Sequence, residues 1–145
     1  MPTDRARGTV TVRAPFDEVL AVLRDVAAQP QWAPKITAAE LLEEYEDGTP
    51  ATASFELSTA IGSDEFTLEY EHADDAMSWV LVSGRMQRGQ QGEYRLRDLG
   101  GGRTEVSLDL TVEHPLSAPG FLRRKVFGGF VDGVLAGLRG YLEGR

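Results

Sequence analysis

The last stretch of the chain, residues 119–143, constrains the fold more than any other part of the sequence. Its apolar side chains recur at intervals of three and four residues, which places them on one broad face of a predicted α-helix. That face consists of Phe127, Phe130, Val131, Val134, Leu138, Tyr141 and Leu142. A long amphipathic helix cannot bury its apolar face alone. The strand-like segments before it are the only candidate partner, so the sequence predicts a sheet that curves around one helix.

The interior of this predicted helix contains Gly128, Gly129, Gly133, Gly137 and Gly140. Each glycine costs roughly 0.5–1 kcal/mol relative to alanine at such a position. All but Gly128 share one flank, between the apolar and the charged face. Two interpretations stay open: the flank approaches a neighbouring element closely, or its missing side chains widen a ligand cavity.

Composition limits the function classes. The 145 residues fit one domain, residues 1–145, with a substantial core. The net charge of −8 argues against nucleic acid as a partner, because such binding relies on Lys and Arg. No apolar run approaches about 18 residues, so no integral membrane association is expected. The chain has no cysteine and its N-terminus lacks an apolar signal core, which favours a cytoplasmic location.

The segments between the N-terminus and the last helix alternate apolar and polar residues, a period typical of strands. The predicted strands are residues 8–14, 36–44, 51–59, 64–72, 77–83, 89–98 and 104–112. The alternation in 36–44 is poor, and 77–83 is apolar on both faces, which predicts a central strand covered on both sides. Turns at residues 61–63 and 99–102 are short, so neighbouring strands are expected to be antiparallel.

Three other segments complete the prediction. Residues 1–7 are polar and are expected to be frayed. Residues 15–28 switch to a helical period, and a short helical turn is expected around Trp32. Residues 114–119 are expected to form a loop before the last helix.

Three sequence patterns resemble those of the START-like superfamily, also called SRPBCC. The first is VRAPFDEV at residues 12–19, followed by Asp25 and by Trp32-Ala33-Pro34. The second is Trp79, followed by GEYRL at residues 92–96 and GGRTEV at 101–106. The third is the closing helix, which starts with PGFL at residues 119–122. The resemblance covers nearly the whole chain and points to the polyketide cyclase/dehydrase-like branch. It implies an α+β helix-grip fold: a curved antiparallel sheet of six or seven strands around a long C-terminal helix, with one or two short helices after strand 1.

The resemblance also implies a site, because the family binds apolar ligands between the sheet and the long helix. The candidate ligand-binding residues are Phe55, Phe66, Leu68, Tyr70, Trp79, Leu81, Arg88, Gln90, Tyr94, Phe127, Phe130, Val131 and Val134. The residues alone leave a second interpretation open, in which these side chains pack as an ordinary core. A small hydrophobic ligand is the expected partner, and neither a cofactor nor a metal is expected.

A few polar residues follow the apolar phase of the predicted strands. Tyr70 and Tyr94 are in phase with apolar positions, so their hydroxyls need a partner inside or a path to water. Arg88 and Gln90 share the phase of Tyr94. Aromatase/cyclase members of the family hold their substrates with pocket Arg and Tyr side chains, which these residues resemble in type.

The histidines and carboxylates carry no recognisable catalytic or metal motif. His72 and His114 are far apart in sequence and are expected at the surface near the cavity mouth, with no zinc-binding spacing. The acidic residues between 40 and 47 lack the spacing of a calcium loop and indicate a solvated edge.

Three functions are compatible with this reading. The first is a carrier or sensor of a lipid, isoprenoid or polyketide-like molecule. The second is a polyketide cyclase, aromatase or dehydrase, which needs an acid–base group at the cavity. The third is a protein-interaction module, similar to the toxin-like or quinone-chaperone relatives. The sequence favours binding over catalysis and assigns no catalytic residue.

Overall fold

The computed structural model describes residues 3–60, 62–115 and 118–144. The elements are β1 (Thr3–Val12), α1 (Phe16–Arg24), a 3-10 helix (Val26–Gln31), β2 (Ile36–Glu44), β3 (Pro50–Thr59), β4 (Gly62–Ala73), β5 (Ala76–Gly84), β6 (Gly89–Gly100), β7 (Arg103–Glu113) and α2 (Gly120–Glu143). The strands form one antiparallel sheet in the order β1-β7-β6-β5-β4-β3-β2. The predicted α+β architecture, a curved sheet with a long C-terminal helix, is confirmed.

The alternation of β7 shows why these residues form strands. Every second side chain of β7 faces the core, while the residues between them are partly or fully exposed. The buried set is Thr104, Val106, Leu108, Leu110 and Val112. The predicted turn before β7 is also confirmed: Gly101 and Gly102 have φ angles of 64° and 74°, the left-handed region that favours glycine in two-residue hairpin loops.

Helix α2 lies mainly over β1. Its buried residues are Val131, Val134, Leu135, Leu138 and Leu142. A Cβ at Gly8 of β1 would lie 3.0 Å from Leu135 Cδ1 and 3.2 Å from Val131 Cγ1, so the helix sits almost on the backbone of the strand. The buried face is therefore rotated slightly from the predicted one. The prediction omitted Leu135 and included three aromatic residues that are only half-buried.

The glycine flank of α2 is not uniform. A Cβ at Gly137 would overlap the carbonyl oxygen of Trp32, whereas one at Gly133 would lie 3.7 Å from Pro34 Cγ, an ordinary contact. Added methyl groups at Gly129 and Gly140 would meet nothing within 4 Å. Close approach thus explains one glycine of the flank, and the flank as a whole does not pack against a neighbour.

The N-terminal segment differs from the predicted frayed tail. β1 begins at Thr3, which pairs with Glu113 of β7. Asp4 is buried and Ala6 packs against the core. Both residues continue the alternating phase of Val10, but their polar neighbours obscure the pattern in the sequence.

Two further elements correct the sequence reading. β5 is the central strand, but its outward side chains Val80 and Val82 are 48% and 57% exposed, so only one face is covered. The predicted helix at 15–28 is divided, because the backbone at Asp25 (φ −82°, ψ 72°) leaves the helical region and a 3-10 helix containing Pro30 follows.

Local irregularities account for the remaining differences. The poor alternation of β2 reflects register shifts against β3. Ile61 of the predicted turn at 61–63, and Leu116 and Ser117 of the predicted loop at 114–119, lie outside the described residues. Within the described part of the chain, no helix combines the length and hydropathy needed to cross a bilayer.

The contact between α2 and Trp32 predicts opposite effects for two similar substitutions. Gly137→Ala should lower the free energy of unfolding by about 1–3 kcal/mol, because the new methyl group forces the backbone of Trp32 away. Gly140→Ala is the matched control on the same helix, where nothing opposes a methyl group, and should raise stability by about 0.5–1 kcal/mol. Denaturant unfolding measures both. Equal stabilisation by the two variants would contradict the close approach.

Candidate functional site

Two adjoining chambers lie between the sheet and α2. The inner chamber has a volume of about 50 Å³ and the outer chamber about 300 Å³. Four residues line both chambers and form the throat between them: Phe66, Gln90, Leu110 and Phe130. A molecule entering from the outer chamber therefore has to pass these side chains before it reaches the interior.

The inner chamber is walled by apolar and aromatic side chains. Besides the throat residues it is lined by Gln29, Ala33, Ile36, Phe55, Leu68, Tyr70, Trp79, Tyr94, Leu108 and Val134. The rings contact one another: the Trp79 and Tyr94 centroids are 5.3 Å apart, and those of Phe55 and Phe66 are 5.5 Å apart. None of the described lining residues carries a charge, so the chamber is suited to uncharged groups.

The outer chamber lies where the β3–β4 hairpin, the β5–β6 connection, the end of β7 and the first turns of α2 meet. Besides the throat residues it is lined by Leu57, Thr59, Gly62, Ser63, Asp64, Arg85, Met86, Gln87, Val112, His114, Val126 and Phe127. Its surface is mostly apolar, with polar side chains on the side of the β5–β6 connection.

A chain of hydrogen bonds crosses from the outer to the inner chamber. Gln87 Nε2 donates to Asp64 Oδ2 at 3.0 Å, and Gln90 Nε2 donates to Gln87 Oε1 at 2.6 Å. Trp79 Nε1 then donates to Gln90 Oε1 at 2.8 Å. The two ends fix the direction of the chain, because a carboxylate only accepts and an indole N–H only donates.

Asp64 anchors this chain at the outer chamber. It is 7% exposed and also accepts hydrogen bonds from the backbone N–H groups of Glu65, Met86 and Gln87, at 2.9, 2.7 and 3.1 Å. These donors satisfy the buried carboxylate and fix the β5–β6 connection against β4. Asp64 thus has a structural role.

Trp79 is seated in a slot that a glycine creates. Gly92 is the register partner of Trp79 on β6, and a Cβ at Gly92 would overlap Cζ2 and Cε2 of the indole. The ring occupies this space and extends from Gln90 towards Tyr94. Gly92 is therefore required for the position of the aromatic wall of the inner chamber.

The two tyrosines of the inner chamber have different environments. Burial, with a smaller effect of Tyr94, raises the pKa of Tyr70 well above its ordinary value, and a hydrogen bond with Gln29 acts in the opposite direction. Burial also raises the pKa of Tyr94. Both hydroxyls stay protonated near neutral pH, so they act as hydrogen-bond donors and not as bases.

A second polar cluster includes His114 of the outer chamber and Asp4 of β1. Asp4 Oδ2 accepts hydrogen bonds from His114 Nε2 at 2.7 Å and from Arg123 Nε at 3.0 Å. Arg123 also donates to the Ala118 carbonyl at 2.6 Å, and the His114 ring stacks on Phe127 with centroids 5.2 Å apart. The cluster ties β1, the end of β7 and the first turns of α2 together.

The structure brings most of the predicted site residues together. All of them line one or both chambers except Leu81, Arg88 and Val131. Val131 packs against Gly8, and Leu81 is half-buried beside a register shift between β4 and β5. The prediction for Arg88 is wrong: its side chain is exposed, because it precedes the start of β6 and the strand alternation does not extend to it.

Several lining residues were missed, although the sequence contains a signal for two of them, and for Asp4, which contacts one of the two. His114 and Asp64 continue the inward phase of β7 and β4, and Asp4 continues that of β1. The expectation that His114 lies at the surface is therefore wrong: it is 2% exposed. His72 is half-buried, contacts the Pro50 carbonyl through Nε2 at 2.7 Å and does not line either chamber. Among the residues described, no group of three or more potential ligands is placed to hold a metal ion.

Comparison with known proteins places the chain in a family. Residues 3–143 match the family model described as "Polyketide cyclase / dehydrase and lipid transport". No curated protein matches the chain in sequence.

Solved structures share the fold along almost the whole chain. A START superfamily protein from Mycobacterium smegmatis is 26% identical, with a TM-score of 0.88 over 97% of both chains. The Zhui aromatase/cyclase from Streptomyces sp. R1128 is 20% identical, with a TM-score of 0.82 over 98% of this chain and 94% of that one. A STAR-related lipid transfer protein from Xanthomonas axonopodis is 23% identical, with a TM-score of 0.71 over 94% of this chain and 84% of that fragment.

The Trp79 slot predicts that Gly92→Ala perturbs the inner chamber. The added methyl group displaces the indole and breaks its hydrogen bond with Gln90, which should cost about 1–3 kcal/mol of stability. Near-ultraviolet circular dichroism and tryptophan emission report the change in the surroundings of Trp79. Gly128→Ala, where nothing lies within 4 Å of the new methyl group, is the control. Unchanged spectra in Gly92→Ala would exclude the proposed seating of the ring.

The Asp4 cluster predicts a large effect for Asp4→Asn. The substitution removes the charge that His114 and Arg123 share in a buried setting, and about 3 kcal/mol of unfolding free energy should be lost. Asp109→Asn is the control, because its partner Arg5 is exposed and such pairs contribute little. Urea unfolding of both variants measures the difference; similar losses would show that the cluster is not a structural anchor.

Proposed function

The chain belongs to the polyketide cyclase/dehydrase and lipid transport family, and from this membership we propose that it binds a small hydrophobic ligand in the two chambers, acting as one domain. The observation that carries the proposal is the pair of adjoining, largely apolar chambers between the sheet and α2, which share four lining residues. Apolar cavities of a few hundred cubic ångströms with a few fixed polar groups are typical of ligand sites. The ligand's apolar part occupies the outer chamber, and one end reaches through the throat.

The polar groups along the chambers support binding over acid–base catalysis. Asp64 is engaged by four hydrogen bonds, and His114 is held by Asp4. Tyr70 and Tyr94 have pKa values raised by burial and are not bases near neutral pH. A cyclase or dehydrase reaction requires a group that can take up or release a proton at the substrate, and no lining residue is favoured for that role.

A substitution that fills the outer chamber tests the proposal. Val126 lines the outer chamber, and Ala136 lies on the exposed side of the same helix. Val126→Trp should weaken binding of the neutral fluorescent probe N-phenyl-1-naphthylamine at least tenfold, because the indole occupies the ligand's space. Ala136→Trp is the matched control and should leave the dissociation constant unchanged.

Two controls make the result decisive. Thermal melts establish that both variants are folded, and a long-chain alcohol should displace the probe from the wild-type protein. If the wild type does not bind the probe, or if both tryptophan variants bind it as the wild type does, the ligand does not occupy the chambers and the proposal is wrong.

A further inference from the structure

The Tyr94 hydroxyl of the inner chamber makes no hydrogen bond with a residue that the structure describes. Tyr94 is 4% exposed and lines the chamber, yet no described residue accepts a hydrogen bond from its hydroxyl. The neighbouring Trp79 N–H, in contrast, is hydrogen-bonded to Gln90. The described side-chain atoms that are fully enclosed without a partner are Arg24 Nε, Trp32 Nε1 and His72 Nδ1, so the Tyr94 hydroxyl reaches the open space of the chamber, where a bound group can accept its hydrogen bond.

The surroundings limit what that group is. No charged residue is present among the described residues lining the inner chamber, and Arg85, a cation of the outer chamber, is exposed and hydrogen-bonded to Ser63. A carboxylate brought next to Tyr94 would lose its hydration without gaining a cation, which is strongly unfavourable. An uncharged oxygen has a much smaller desolvation cost, and the hydroxyl compensates for it.

We infer that the Tyr94 hydroxyl donates a hydrogen bond to an uncharged oxygen of the ligand, and that the inner chamber thereby selects ketones, esters or alcohols over carboxylates of the same chain length. This inference rests on the proposed function. Tyr94 is then a specificity-determining residue. The chamber volume of about 50 Å³ limits the polar end to a few non-hydrogen atoms, while the apolar chain extends through the throat into the outer chamber.

The neighbouring side chains keep the Tyr94 hydroxyl available. The indole N–H of Trp79 is directed to Gln90 by the chain that starts at Asp64, so it does not compete for the ligand oxygen. The Trp79 ring lies over Gly92 and packs against the Tyr94 ring, which fixes the orientation of the phenol. The competitor for the hydroxyl is a water molecule, and this competition decides whether the hydroxyl contributes to affinity.

Three matched ligands test the inference: decan-2-one, decane and decanoate, each measured at neutral pH by displacement of N-phenyl-1-naphthylamine. In the wild type, decan-2-one should bind more tightly than decanoate. Tyr94→Phe should weaken binding of decan-2-one about three- to tenfold, the usual contribution of one hydrogen bond between uncharged groups, and change decane and decanoate less than twofold. Tyr141→Phe, whose hydroxyl contacts Gln31 outside both chambers, should change none of the three.

An infrared measurement on the wild type keeps the inference testable if Tyr94→Phe fails to fold. The carbonyl stretch of bound decan-2-one should lie at lower frequency than in a hydrocarbon solvent, because a hydrogen bond weakens the C=O bond. In a folded Tyr94→Phe variant the shift should be lost. An unshifted carbonyl in the wild type overturns the inference.

The outcomes separate the inference from the proposed function. No loss for decan-2-one in Tyr94→Phe would show that water satisfies the hydroxyl equally well, and equal losses for decan-2-one and decane would show a general change of the chamber; either result would overturn the inference alone. An equal dependence of decanoate on Tyr94 would overturn the selection of uncharged oxygens. Failure of the wild type to bind the probe or any of the three ligands would overturn both the inference and the proposed function.

Discussion

The close approach of α2 to β1 is the contact on which the cavity depends. Gly8 lets Val131 and Leu135 reach the strand, and Gly137 lets the helix touch the backbone of Trp32. These contacts hold the second half of α2 against β1 and against the segment that precedes β2. The first half is not held in this way, and its aromatic residues Phe127 and Phe130 line the chambers while remaining half-buried. A helix that packs closely along its second half, and that the Asp4 cluster holds at its first turn, leaves room between its middle and a curved sheet.

The polar groups of the interior act mainly on the aromatic wall. Asp64, Gln87 and Gln90 form a chain of hydrogen bonds that ends on Trp79. The space above Gly92 of β6 holds the same indole ring in place. Buried polar groups of this kind are tolerated only when each is satisfied, and a satisfied network rigidifies its surroundings. The shape of the inner chamber is therefore set by hydrogen bonds as well as by packing. The Tyr94 hydroxyl lies outside this network, makes no hydrogen bond with a described residue and lines the inner chamber.

The sequence predicts the elements and the sides of the sheet well, because strands such as β7 alternate cleanly and α2 has a clear helical period. It fails where the alternation is interrupted. Arg88 shares the phase of Tyr94 but precedes the strand, so its side chain is exposed. Conversely, Asp4 and His114 keep the inward phase but are polar, and their burial depends on a partner about a hundred residues away, which local patterns do not encode. The pairing of Trp79 with Gly92 depends in the same way on the register between β5 and β6.

The acidic side chains of this protein lie mostly on its surface, which leaves the inner chamber uncharged. The net charge of −8 is carried largely by outward positions of the strands, where Glu65, Glu69 and Glu71 alternate with buried apolar residues. The inward carboxylates Asp4 and Asp64 have hydrogen-bond partners within the protein, and only Asp64 of the two lines the outer chamber. Hydrophobic contact supplies affinity without much selectivity, since it is roughly proportional to buried area. In an uncharged chamber, discrimination between ligands of equal length therefore depends on the few fixed hydrogen-bond donors, and the free donor of Tyr94 is placed where the ligand's end would lie.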